Sequence, residues 1–85
     1  MDLSHLHIAA IDDDEDDLVL LQLRLEDALG GGLRFAPFAN VDRGVRYVTS
    51  ERPDVLLLDY RLGARSGLDV LRDLREAGYG GAVLV

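Results

Sequence analysis

The chain contains no cysteine, no lysine and no tryptophan, and no apolar run that approaches the length of a membrane span. Without cysteine there is no disulfide framework, no thiolate nucleophile and no sulfur-bound zinc, and a reducing, cytoplasmic setting is the expectation. All nine basic residues are arginines, which removes Schiff-base chemistry and lysine-dependent phosphate binding. A transmembrane helix needs roughly 20 apolar residues, and Met1-Asp2-Leu3-Ser4 lacks the basic-then-apolar order of a secretory signal, so no membrane association is expected. Basic charge is also in deficit. A formal net charge of −7, with the arginines scattered along the chain, repels nucleic-acid phosphate, and no direct contact with DNA or RNA is expected.

What is present is a regular alternation of two hydrophobic periods. Its 85 residues suffice for one small domain with one modest core, a single domain over residues 1–85. His7 to Ile11 is a short apolar strand pattern, followed by Asp14-Glu15-Asp16-Asp17, the cap and first-turn acids of a helix that should begin near Asp14. Leu18, Leu21, Leu25 and Leu29 then repeat at helical spacing, and Gly30-Gly31-Gly32 ends the helix. Leu33 to Phe38 reads as a second strand, and Asn40 caps a helix that carries Val41, Val45 and Val48 inward. Arg52 stops that helix because the residue before Pro53 avoids helical angles.

Val55 to Leu58 is apolar without alternation, as in a strand buried on both faces of a parallel sheet. Ser66 with Asp69 three residues later resembles a capping box that opens a helix bearing Leu68, Leu71 and Leu74. Gly78 and Gly80-Gly81 end it, and Ala82 to Val85 reads as a fourth buried strand. Strands alternating with helices imply right-handed βαβ units and a parallel sheet covered on both faces. In such sheets function gathers outside the carboxyl ends of the strands.

Asp12, Asp13 and Asp59 all fall at that edge. Two carboxylates 4 Å apart repel by about 4 kcal/mol at an effective dielectric near 20, so a fold that gathers three usually holds a cation among them. Hard oxygen ligands of this kind suit Mg2+. Capping and helix-dipole complementation account for Asp14, Glu15, Asp16 and Asp17 without any metal. Competing motifs fail on inspection. A calcium loop beginning at Asp12 has Asp17 where glycine is needed and Leu23 where a bidentate glutamate belongs. Gly30-Gly31-Gly32 lacks the Gly-Lys-Ser/Thr of a phosphate-binding loop. His5 and His7 have no partners at metal-ligand spacing, and Tyr47, Tyr60 and Tyr79 are too dispersed for a stacking platform, so packing is their expected use.

Ile11-Asp12-Asp13-Asp14, the segment Leu57-Leu58-Asp59-Tyr60-Arg61-Leu62-Gly63 and Gly67 together resemble the receiver domain of two-component response regulators, over about His7 to Val85. The resemblance implies a flavodoxin-like, three-layer α/β fold with strand order 2-1-3-4. It implies that Asp59 is the phosphorylation site, taking a phosphoryl group from a sensor histidine kinase or phosphotransfer protein in phosphorelay signal transduction. By the same resemblance Asp13 is a direct Mg2+ ligand, Asp12 binds the metal through water, Asp59 is itself a ligand, and Arg61 supplies a backbone carbonyl. The role is that of a phosphoacceptor rather than an enzyme with an external substrate.

Against the family pattern, the chain stops after the fourth strand, without the fifth strand and the fourth and fifth helices. The Ser or Thr that closes strand four and the lysine of strand five are missing with them. Two expectations follow: impaired switching, and an apolar strand-four edge, so that these residues are either the ordered part of a longer receiver or a fragment that forms a homodimer or swaps to cover that edge. Leu62-Gly63 also departs from the commoner Met and Pro, which implies a more flexible loop. The alternative reading is a degenerate receiver that serves as a phosphorylation-independent dimerisation or docking module. A small Mg2+-dependent phosphatase with Asp59 as nucleophile is a third; the haloacid dehalogenase type is set aside because Arg61 stands where its second aspartate belongs.

Overall fold

Where the apolar run meets the acids, the chain turns from strand to helix. The computed structural model describes residues 5–85, so the reading of Met1–Ser4 lies outside the described residues. Strand β1 spans His7–Ile11 and helix α1 spans Glu15–Leu29. Asp14 caps α1, its side chain accepting the amides of Asp16 and Asp17, and three acids in the first turn complement the helix dipole. The expected stripe of Leu18, Leu21, Leu25 and Leu29 faces inward, with Leu18 buried and the other three half-buried.

Strand β2 covers Arg34–Phe38, beginning one residue later than expected, and Asn40 caps helix α2, Val41–Glu51, by accepting the Arg43 amide. Arg52 ends α2 in the left-handed region, at φ 50, rather than in the extended conformation expected before Pro53. Its amide donates to the Val48 carbonyl, and satisfying that helix-end acceptor offsets a conformational cost of about 1 kcal/mol. Strand β3 follows at Val55–Leu58.

Two short strands, β4 (Arg61–Leu62) and β5 (Arg65–Ser66), then form an antiparallel hairpin that leads into helix α3, Gly67–Glu76. The capping box at the start of α3 is complete: the Asp69 amide donates to Ser66 Oγ, and the Ser66 amide donates to Asp69 Oδ2, each at 3.2 Å. Strand β6, Ala82–Leu84, closes the main sheet.

The main sheet is parallel throughout, in the order β2-β1-β3-β6, with Ile8 paired to Phe35 on one side and Val55 on the other. This is the expected flavodoxin-like order 2-1-3-4, β6 being the fourth strand of that count. The chain moves one way along the sheet from β1 to β2 and the other way from β2 to β3. Right-handed crossovers therefore put α1 on one face and α2 on the opposite face, where α3 packs beside it. Ala9, Ile11, Leu56 and Leu58 project toward α2 and α3 and form the core with Val48, Val70, Leu74 and Tyr79. Ile8 and Ala10, one step out of phase, are buried on the other face, as is Leu18 of α1.

The fourth buried strand is corrected by its position. Ala82 and Leu84 are exposed because, among the described residues, β6 is the outermost strand and pairs only with β3. On α1, Val19, Leu20 and Leu23 are exposed as well. Among the described residues no helix is long and apolar enough to cross a membrane.

Candidate functional site

The Asp12 amide donates to the Phe38 carbonyl and the Asp59 amide donates to the Ile11 carbonyl, each at 3.0 Å. Both bonds extend the parallel ladder past the last paired residue, so Asp12 and Asp59 emerge side by side where β1 and β3 end. Adjacent Asp13 completes the group: one carboxylate oxygen from each of Asp12, Asp13 and Asp59 lies within 4.8 Å of the others. Two segments about 46 residues apart are joined here by ladder geometry alone.

Asp12 is half-buried, and its Oδ1 accepts the Asp14 amide at 2.9 Å, which locks the side chain. Its pKa lies above the ordinary carboxylate value. Burial is the leading cause, the negative charges of Asp59, Asp17 and Asp13 add to it, and the Asp14 amide works against it. The donor set suits a hard divalent cation. Oxygens around Mg2+ at about 2.0–2.1 Å stand about 3 Å apart when adjacent and about 4.2 Å when opposite. A spread of up to 4.8 Å accommodates such an ion with one carboxylate reached through water, and the ion would relieve the mutual repulsion.

Arg61 opens β4 two residues beyond Asp59, with its side chain exposed and its backbone paired opposite Ser66. It lies outside the carboxylate group and has only its main chain to offer a metal. The loop expected to be flexible around Leu62-Gly63 is a hairpin. Leu62 is buried in the core, and Gly63 takes φ 64 at the first of two turn positions, the arrangement of a II′ turn. Arg65 then pairs with Asp73 of α3 and lies 3.8 Å from Asp42 of α2. A glycine between two residues able to pair, Leu62 and Arg65, was the available signal for this turn, outweighed by the family pattern.

Asp14 and its acidic followers serve the helix start, as expected. Tyr60 departs from its expected packing role, with 55% of its surface exposed beside the site. His7 lies at the opposite end of β1, its Nε2 2.7 Å from the Tyr47 hydroxyl, and takes no part in the acidic group. Beside the carboxylates runs a shallow groove of about 300 Å³, floored by Leu21, Leu57, Leu84 and Val85 with Asp12 and Asp59 in its wall. A wider hollow of about 610 Å³ opens over Asp13 and the start of α1. The carboxylates are therefore reachable from solvent.

The family model for the response regulator receiver domain matches residues 8–85. Among solved structures, the chain is similar to a response regulator receiver domain protein from Clostridium thermocellum, with TM-score 0.80 and 26% identity, covering 92% of this chain and 61% of that one. It is similar to the signal receiver domain of a modulated diguanylate cyclase from Desulfovibrio desulfuricans G20, described as an example of alternate folding, with TM-score 0.74 and 25% identity over 93% and 62% of the two chains. The N-terminal domain of an uncharacterized protein from Wolinella succinogenes shares the fold, with TM-score 0.76 and 23% identity over 92% and 60%. The chain thus spans about 60% of the length of these structures. No curated protein matches it.

Proposed function

The chain belongs to the response regulator receiver domain family of two-component systems, and on that premise we propose that it receives a phosphoryl group on Asp59 with the help of Mg2+. The donor in this reading is the phosphohistidine of a sensor histidine kinase or phosphotransfer protein. The observation that carries it is the convergence of Asp12, Asp13 and Asp59 within 4.8 Å, at the sheet edge where open parallel sheets place their ligands.

A carboxylate oxygen of Asp59 attacks phosphorus, the phosphorus–nitrogen bond to the donor imidazole breaks, and an acyl phosphate remains. Asp12, Asp13 and the Arg61 carbonyl would hold Mg2+ beside Asp59, and the bound ion draws negative charge from the phosphoryl oxygens. The protein's own contribution is placement. The Asp59 amide is tied to Ile11, and the Asp14 amide orients Asp12. Members of this family are signalling domains, and turnover is confined in this reading to the chain's own acyl phosphate.

Exposure to beryllofluoride or acetyl phosphate with Mg2+ tests it. A lasting adduct at Asp59, absent from Asp59→Asn, supports the phosphoacceptor. No adduct on a folded, Mg2+-competent protein supports the docking module, and steady turnover of added phosphoester supports a phosphatase.

A further inference from the structure

The segment after Asp59 folds back onto Asp59 itself. The β4–β5 hairpin returns the chain so that Gly67, the first residue of α3, lies against the Asp59 backbone. A β-carbon built on Gly67 would stand 2.5 Å from the Asp59 carbonyl oxygen and 3.2 Å from Val85 Cγ1. The Gly67 amide also donates to the Tyr60 carbonyl at 2.6 Å, fixing the plane of the peptide that joins Tyr60 to Arg61. One buried residue without a side chain thus touches the main chain on both sides of Tyr60, between the two positions that the proposed site draws on.

Neither partner in this contact yields easily. The Asp59 amide is held by Ile11 in the sheet, while α3 is held by its capping box and by buried Val70 and Leu74. We propose that Gly67 is a positioning residue: its missing side chain and its amide set the Asp59 carboxylate and the Arg61 carbonyl at the spacing that Mg2+ needs. The inference rests on the phosphoacceptor reading given above. Relieving a 2.5 Å contact moves backbone by about half an ångström, and that displacement is large for an ion that demands near-ideal octahedral geometry at about 2.0–2.1 Å.

The test compares Gly67→Ala with Gly81→Ala. At Gly81 an added β-carbon would overlap the Tyr79 hydroxyl and stand 2.9 Å from the Pro53 carbonyl oxygen, so that variant strains the fold at the end of the sheet away from the carboxylates and from the residues that hold them. Mg2+ affinity is read by tyrosine fluorescence or amide shifts, the beryllofluoride adduct by fluorine resonance, and stability by thermal melting. Gly67→Ala is expected to weaken Mg2+ at least tenfold and to lose the adduct, whereas Gly81→Ala keeps both at equal or lower melting temperature. Equal Mg2+ affinity in wild type and Gly67→Ala overturns the inference alone. Wild type that binds no Mg2+ overturns the phosphoacceptor reading and the inference with it.

If Gly67→Ala fails to fold, amide exchange on the wild-type chain decides. Coupling is reciprocal, so a residue that holds the metal ligands in place is itself held by the metal. Mg2+ should slow exchange of the Gly67 amide at least fivefold more than that of the Gly30 and Tyr79 amides, which donate to Glu26 and Leu74 far from the carboxylates. Equal slowing at all three overturns the proposal.

Discussion

The Tyr79 hydroxyl donates to the carbonyl of Pro53 at 2.7 Å, tying the chain just before β6 to the chain just before β3. Gly81 lies so close to the Tyr79 hydroxyl that a β-carbon there would overlap it. Arg75 closes the same corner, its Nη1 donating to the carbonyls of Tyr79 at 2.8 Å and Gly81 at 2.9 Å. This corner delivers β6 to the edge of β3 at the end of the sheet remote from the acidic group.

Tyr79→Phe keeps the ring and leaves the buried Pro53 carbonyl without its donor. The expected loss is about 1–2 kcal/mol, seen as a lower urea midpoint at unchanged slope. Mg2+ affinity is expected to stay at the wild-type value. A parallel fall in Mg2+ affinity would show that this corner and the carboxylate edge are coupled.

Ser66→Ala removes one half of the capping box that starts α3. N-cap losses of this type cost about 1 kcal/mol, which for a domain of this size lowers the melting temperature by about 4–8 °C. Ser66→Thr keeps an acceptor oxygen and should recover most of the loss. A melting curve superimposable on wild type would refute the contribution of the cap.

The acidic group should set metal-dependent stability. In the metal-free protein Asp13→Asn lowers the repulsion around Asp12 and Asp59 and is expected to raise the melting temperature. Mg2+ at about 100 times its dissociation constant should stabilise wild type by about 2.7 kcal/mol and Asp13→Asn much less. Because the pKa of Asp12 is raised, Mg2+ affinity should begin to fall with acidification above the ordinary aspartate value of 3.8. Identical responses of the two proteins to Mg2+ would exclude Asp13 as a ligand.

His7 gives the fold a pH dependence of its own. Burial, and then the positive charge of Arg34, hold its pKa below 6.5, with Asp54 and Glu51 opposing. The native state therefore favours neutral imidazole, and the unfolded chain binds the proton more readily. His7 contributes stability that is fully present above pH 6.5 and is lost as pH falls from there toward the lowered native pKa. Urea midpoints at pH 7.5 and 5.5 should differ less in His7→Gln than in wild type, and an equal difference would contradict this assignment.

Much of this architecture was legible in local chemistry. Asp14, Asn40 and Ser66 announce helix starts because their short side chains accept amides that a first turn leaves unpaired, and all three do so. The leucines of α1 and the apolar run of β3 mark periods of burial that do not depend on neighbours. The acidic pair after β1 and the acid after β3 were equally plain, because acids ending apolar strands are out of place in a core. Arg52 escaped because a hydrogen bond to Val48 outweighs the preference that Pro53 imposes. The hairpin at Arg61–Ser66 escaped because strands of two residues have too few positions to show alternation.

Residue order thus specified the alternation of strands and helices, the caps, and the excess of carboxylates, since each rests on neighbours within a few positions. It left open how close Asp59 comes to Asp12 and Asp13, and that Gly67 returns to rest on Asp59. Those are distances between segments far apart along the chain. Parallel pairing of β1 with β3 settles the first, and closure of the hairpin under α3 settles the second. Packing of whole elements sets such separations, and no local pattern encodes them.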